Sequence, residues 1–196
     1  MKYKVFCAHH RPSIHRKEYL EQKKIEYNLD FEYVESHEPG SGSFKNPYQI
    51  NDGELSVSLK YLEILQKAID ENIDFCFIFE NDIIIEFDLN VFFNKIISES
   101  ENVDLVFWGA IPNMIVTNPT PDKIVYTGYK FSRGGHGIMF TNQTCKKILE
   151  NYDYDFKLPF DITLNYLIPN LNLNCGWTYP HVRQKTAEGI EKSTLR

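Results

Sequence analysis

Glu80 and Asp82 stand two residues apart where an apolar run, FCFIFENDIIIEFD over residues 75–88, turns polar and back again. Apolar runs of this kind, rich in aromatic and β-branched side chains, read as strands buried on both faces. Carboxylates that interrupt one are costly, because a charge removed from water must find a partner or be neutralised. Side chains two apart in an extended segment point the same way, so Glu80 and Asp82 converge on one point, with Asn81 on the other side of the pleat. A divalent cation carrying a phosphate-bearing ligand would satisfy such a pair. An acidic turn that joins two strands and faces water is the plainer alternative.

Other residues have types suited to the same chemistry. Arg11 and Arg16 follow the first apolar segment, and guanidinium groups suit bidentate phosphate contacts. His136 follows two glycines, which allow backbone to approach a ligand closely. Asp161 stands after Pro159 and Phe160 at a predicted helix start, where the positive dipole end favours an ionised carboxylate able to take a hydroxyl proton. A helix cap explains that aspartate equally well. Near the end, His181 could complete a Mn²⁺-type ion's ligands, and Arg183, Gln184 and Lys185 could close over a diphosphate. A solvated basic tail is the simpler account of the last three. Trp108 and Trp177 read as core, with Trp108, before a loop, the better sugar-stacking platform.

These groups need a scaffold, and hydrophobic patterning supplies one. Strands are expected at residues 3–8, 31–34, 75–80, 104–108, 124–131, 137–141 and 171–179. Helices are expected at 14–27 after Ser13, from a cap at Asp52 through Leu55, Leu59, Leu62 and Ile69, at 89–98, at 142–151 and from 161. Residues 36–51 and 109–122 are rich in Gly, Pro, Ser and Asn and read as loops. Alternation of strand and helix predicts an α/β fold: a single Rossmann-type domain over 1–196, with a mostly parallel central sheet flanked by helices and a mobile tail from about 180. Ligands of such sheets settle at the carboxyl ends of the strands, where the 9–16 loop and the 80–82 turn both lie.

Composition narrows the function classes. The 196 residues are 42% hydrophobic and 14% aromatic, the composition of a folded globule. A net charge of −6 and the lack of a basic stripe argue against nucleic-acid binding. Cys7, Cys76, Cys145 and Cys175 are far apart and mostly within apolar segments, as buried free thiols would be. No stretch has the length of a membrane span and the N-terminus has no signal-peptide core, so a cytoplasmic protein is expected.

Several segments occur in a telling order: FCAHHRPSIHRKEYLEQ, GELSVSLKYLEILQKAI, FIFENDIII, SRGGHGIMFTNQTCKKIL, LPFD, PHVRQ and the terminal EKSTL. This succession resembles glycosyltransferase family 25, the group of lipooligosaccharide and collagen galactosyltransferases. The resemblance implies a GT-A-like fold and an inverting transfer of galactose or glucose from a UDP-sugar to a hydroxyl of a glycan or hydroxylated protein. It also implies Mn²⁺ (or Mg²⁺) at the DxD-like Glu80 and Asp82, Asp161 as base, and donor contacts from Arg11, Arg16, Asn81, His136, Arg183 and Gln184. Two departures stand out. Asn81 replaces the middle acid of the triplet, and Lys60-Tyr61 replaces a Ser-His pair. They motivate an alternative, a catalytically impaired relative that binds a nucleotide sugar or glycan. A metal-dependent phosphoester hydrolase would need two metals and more clustered acids and histidines than the sequence offers.

Overall fold

The computed structural model describes residues 1–41, 45–111 and 114–185. In chain order the elements are β1 (Tyr3–Ala8), α1 (Ile14–Tyr27), β2 (Glu32–Val34), α2 (Asp52–Asp70), β3 (Phe75–Glu80), β4 (Ile83–Ile84), α3 (Leu89–Glu99), β5 (Leu105–Gly109), β6 (Val125–Tyr129), β7 (Gly137–Thr141), α4 (Asn142–Asn151), α5 (Phe160–Asn170) and β8 (Cys175–Gln184). The strands form one eight-stranded sheet in the order β2-β1-β3-β7-β5-β8-β4, with β6 on β8. Strands β1, β2, β3, β5 and β8 run in one direction, and β7 runs against both β3 and β5. The expected α/β architecture, a mostly parallel sheet flanked by helices, is present.

Strict alternation along the strands builds two cores. Phe6, Cys76, Ile78, Leu105, Phe107, Ile138 and Phe140 face one side, where α2, α4 and α5 pack through Leu55, Leu65, Cys145, Ile148 and Leu164. Val5, Cys7, Phe77, Phe79, Val106, Trp108 and Met139 face the other, against Leu20 of α1 and Phe92, Phe93 and Ile96 of α3. Both faces are dry, which is why these strands read as continuous apolar runs. All four cysteines are buried and free. Trp108 is sealed between the rings of Phe79 and Phe93, so it is core rather than a sugar platform. Among the described residues no helix is long and apolar enough to cross a membrane.

Three boundaries differ from expectation. Ser13 makes no side-chain cap on α1. Asn51, rather than Asp52, caps α2: its Oδ1 accepts from Glu54 N at 2.9 Å while Glu54 Oε2 accepts from Asn51 N at 3.2 Å, a reciprocal capping box. The last strand begins later than expected and runs on through Gln184, so residues 180–184 are sheet and not an irregular tail. Its partner there is β4, with Ile83 opposite Gln184 and Ile84 opposite Arg183, a pairing that residues 180–184 on their own did not announce. The rest of the expected tail, with the EKSTL segment, lies outside the described residues.

Because α2 supplies one wall of the site described below, its cap should matter locally and measurably. Asn51→Ala should lower stability by about 1 kcal/mol in urea unfolding; an unchanged midpoint would show that the capping box is not holding the helix.

Candidate active site

The chain leaves β1 toward β2 on one side of the sheet and returns through β3 on the other. The loops after β1 and β3 therefore diverge and leave a crevice at the carboxyl edge, the usual ligand position in open α/β sheets. A cavity of about 800 Å³ opens there. Its walls include His10 and Arg16 from the β1–α1 segment, Gly53 to Tyr61 along α2, Glu80, Asn81 and Asp82 after β3, the Gly134–His136 turn, Pro159 to Ile162 at the start of α5, and Gln184 from β8. Its volume falls within the range of small-molecule sites.

Glu80 and Asp82 meet at the floor. Gln184 Nε2 bridges them, 3.0 Å from Asp82 Oδ1 and 3.4 Å from Glu80 Oε2. Burial, then the nearby Asp82 and Asp161 carboxylates, push the Glu80 carboxyl well above its ordinary range, with Arg16 acting in the opposite direction. Asp161 is also raised, chiefly by burial, although Ile162 N donates to its Oδ1 at 2.9 Å. Gly135 lies between the two: a Cβ there would sit 3.1 Å from Glu80 Oε1 and 3.5 Å from Asp161 Cβ. The Tyr61 hydroxyl donates to the Gly135 carbonyl and ties this turn to α2.

Asn81 is held by a different set of contacts. Arg16 Nη1 donates to Asn81 Oδ1 at 3.0 Å, and Asn81 Nδ2 donates to His9 Nδ1 at 3.0 Å. Arg16 Nη1 also stands 3.8 Å from Asp82 Oδ2. Burial lowers His9 to about 4, so the ring that accepts from Asn81 is neutral. His136 is likewise lowered to about 4 by burial. Its ring occupies the space a side chain at Gly109 would need, since a Cβ there would lie 2.5 Å from His136 Cδ2.

The structure gathers Glu80, Asp82, Asn81, Arg16, His136, Asp161 and Gln184 around one cavity; Arg11 and Arg183 are engaged away from it, and His181 stands near enough to His136 to act on its charge. Arg11 is on the outer side of the β1–α1 loop, where its Nη2 donates to the Glu35 carbonyl at 3.0 Å. On β8, residues two apart share a face. Gln184 and Val182 turn one way, so His181 and Arg183 turn the other. Arg183 there pairs with Glu86 at 2.6 Å. Lys185 lies over the Tyr19 ring at 3.9 Å.

Sequence reasoning assigned no role to Lys60, Tyr61 or His10. Lys60 is fully buried in the cavity wall, its Nζ donating to the His9 carbonyl at 2.8 Å and to Glu38 Oε1 at 2.5 Å. Glu38 Oε2 meets His10 Nδ1 at 2.7 Å. The available signal was a lysine four residues after Ser56 and four before Ile64, on the inward face of α2.

Among the described residues no three His, Cys, Asp or Glu side chains form a group that could hold a metal by themselves. Two adjacent carboxylates, of which Glu80 is pushed well above its ordinary range, still suit a hard divalent cation, which commonly takes one or two carboxylates and completes its shell with phosphate oxygens and water.

No protein-family model matches the chain, and no curated protein matches it. Among solved structures it is similar to a glycosyltransferase involved in the glycosylation of the major capsid of PBCV-1, at 13% identity over 90% of this chain and 81% of that one, with a TM-score of 0.49. It is also similar to A197 from STIV, at 13% identity over 90% and 81% with a TM-score of 0.45. A third is described as a mannose-1-phosphate geranyltransferase from Thermus thermophilus, at 11% identity over 93% and 75% with a TM-score of 0.46.

The raised carboxyl of Glu80 has a consequence for stability. A carboxyl that keeps its proton to higher pH when folded than when unfolded stabilises fully below the unfolded range and loses that contribution as pH rises through the folded value. In metal-free buffer, Glu80→Gln should therefore gain stability over the wild type as pH rises above the unfolded glutamate value of about 4.3, and converge with it at the acid end. Urea midpoints measured against pH test this, and a difference independent of pH would contradict it.

Proposed function

We propose that the chain is a GT-A-like glycosyltransferase that moves a hexose, galactose or glucose, from a UDP-sugar to a hydroxyl of a glycan or hydroxylated protein. The observation that carries this reading is the opposition of the Glu80–Asp82 pair and Asp161 across Gly135 in one cavity. The family 25 resemblance of the sequence points the same way.

In this proposal Glu80 and Asp82, steadied by Gln184, hold Mn²⁺ or Mg²⁺ together with the donor diphosphate. A bound divalent ion supplies charge stabilisation for the departing nucleoside diphosphate. Arg16 keeps Asp82 and Asn81 in place from behind. Lys60 adds a second cation to the wall, in a cavity otherwise dominated by carboxylates. Asp161 accepts the acceptor's hydroxyl proton; the freed oxygen forms a bond to the anomeric carbon as the bond from that carbon to the diphosphate oxygen breaks, with inversion. UDP leaves with the bonding electrons. Burial raises Asp161 enough to strengthen it as a base, while the hydrogen bond from Ile162 N keeps the ionised form accessible. Holding donor and acceptor together in this crevice contributes much of the rate.

Asn81 weakens the case for the impaired relative. Its amide is engaged with Arg16 and His9, so a carboxylate at this position would meet the same buried contacts rather than the ion. Calorimetric titration with UDP separates the two readings. The wild type should bind UDP more tightly with Mn²⁺ than without it, and Asp82→Ala should lose that difference while keeping its fold. Asp161→Asn should keep metal-dependent UDP binding and lose about a hundredfold or more in turnover. UDP affinity indifferent to Mn²⁺ would remove the metal assignment, and binding without transfer across a wide donor and acceptor panel would favour the non-catalytic relative.

A further inference from the structure

Helix α5 differs in character from the rest of the surface. The chain carries 21 Lys and Arg and 27 Asp and Glu, yet α5, FDITLNYLIPN, has Asp161 as its sole side chain charged at neutral pH. Its inward residues Phe160, Leu164, Leu167 and Ile168 are buried in the core. On the outward side Ile162, beside Asp161, lines the cavity mouth. Tyr166 follows one turn later on the same face and is 59% exposed. With a rise of about 1.5 Å per residue, Tyr166 lies roughly 7 Å along the axis from Asp161.

A second ring comes from the facing segment. Phe131 is 45% exposed, and the next residue, Ser132, donates its N–H to Asn165 Oδ1 of α5 at 2.8 Å. Trp177 anchors Phe131 from below, its Nε1 donating to the Phe131 carbonyl at 3.2 Å and the two rings meeting edge to face at 5.1 Å. Both exposed rings therefore stand on fixed backbone, and the apolar surface they form continues into the cavity at Ile162.

We propose that Ile162, Tyr166 and Phe131 form the acceptor subsite and that the acceptor is an uncharged glycan. The inference rests on the transferase reading above and specifies its substrate class. Exposed aromatic rings flanking the Asn165 amide, whose Oδ1 accepts from Ser132 N, match the apolar C–H faces and hydroxyl rim of a sugar ring. An anionic polymer would find no cation on α5 and one exposed lysine, Lys130, beside Phe131, and would meet Asp161 and a chain of net charge −6. A basic peptide would find a single carboxylate. The subsite would lead a sugar hydroxyl to Asp161 while neighbouring sugar residues lie across Tyr166 and Phe131.

The test is an amide-shift titration of the isotope-labelled full chain, with and without UDP and Mn²⁺. The probes are neutral malto-, galacto- and gluco-oligosaccharides, a hyaluronan oligosaccharide and a hydroxylysine peptide. The neutral oligosaccharides should shift signals at 129–132 and 161–166. Tyr166→Ala and Phe131→Ala should weaken that binding at least tenfold, Tyr166→Phe should restore it, and UDP binding should be unchanged in all three. Neutral binding untouched by these variants, no neutral binding, or binding of the peptide or hyaluronan alone would overturn the proposal. Oligosaccharide binding at these rings in a protein that ignores UDP would support the subsite and overturn the transferase reading.

Discussion

Everything at this site follows from placing two carboxylates where the protein interior begins. At the end of β3 the chain passes from Phe79, which is fully buried, to Glu80 and then to Asp82, also buried. Water is no longer available to screen their repulsion, and Arg16 is the cation beside them. One resolution is partial: burial and the neighbouring carboxylates push the Glu80 carboxyl well above its ordinary range, which favours its protonated form. The other, under the proposed function, would be a divalent cation, with twice the charge and a preference for hard oxygen. A buried carboxylate pair of this kind is a poor choice for stability alone. Its expense is understandable where a ligand is to be bound.

The surrounding residues keep that pair open instead of collapsing it. Gly135 leaves the gap between Glu80 and Asp161, and Tyr61 fixes the glycine's carbonyl from α2. Gly109 leaves room for the His136 ring, which burial keeps neutral and therefore adds no charge to the site. Arg16, Asn81 and His9 form a hydrogen-bonded line beneath the turn, so the backbone between the acids is pinned by its middle residue. Gln184 reaches both carboxylates from a strand whose pairing with β4 is set by the isoleucines right after the turn. One short segment thus carries the acids and also β4, the strand that pairs with the one delivering their bridging amide.

The elements were largely legible in the sequence because β1, β3, β5 and β7 bury both faces, and their apolar runs leave little choice. Residues 142–151 show the same legibility for α4, where Thr141 caps the helix through Thr144 N. The pairing of Glu80 with Asp82 was legible too, from two-residue spacing, and the rule that ligands gather at the carboxyl edge put the β1 loop beside them; Asp161 entered only through the resemblance and its place at a helix start. What was not legible depends on partners distant in sequence. Nothing local says that residues 180–184 continue a strand, because the partner lies about a hundred positions earlier. The direction in which Arg183 and His181 point depends on that pairing, so they could not be separated from Gln184 beforehand. Lys60 was hidden differently, since a lysine within a helix usually reaches water, and only the fold shows Glu38 and the His9 carbonyl waiting for it.

That lysine and its neighbour Tyr61 divide the cavity wall between them. Lys60 and Tyr61 are consecutive on α2, about 100° apart around the helix axis, so they address different walls of the crevice. Tyr61 reaches the Gly135 turn on the acidic side, while Lys60 reaches Glu38 and, through it, His10 on the side of the β1 loop. A neutral hydroxyl and imidazole at these positions would leave Glu38 a buried carboxylate without its closest cation, adding a further negative group to a cavity already short of positive charge. The pair Lys60–Glu38 is therefore best understood as one unit with the long loop that carries Glu38: the cation neutralises the loop's acid, the loop brings Pro39 to the cavity wall, and the wall so formed meets the Glu80–Asp82 floor without adding to its charge.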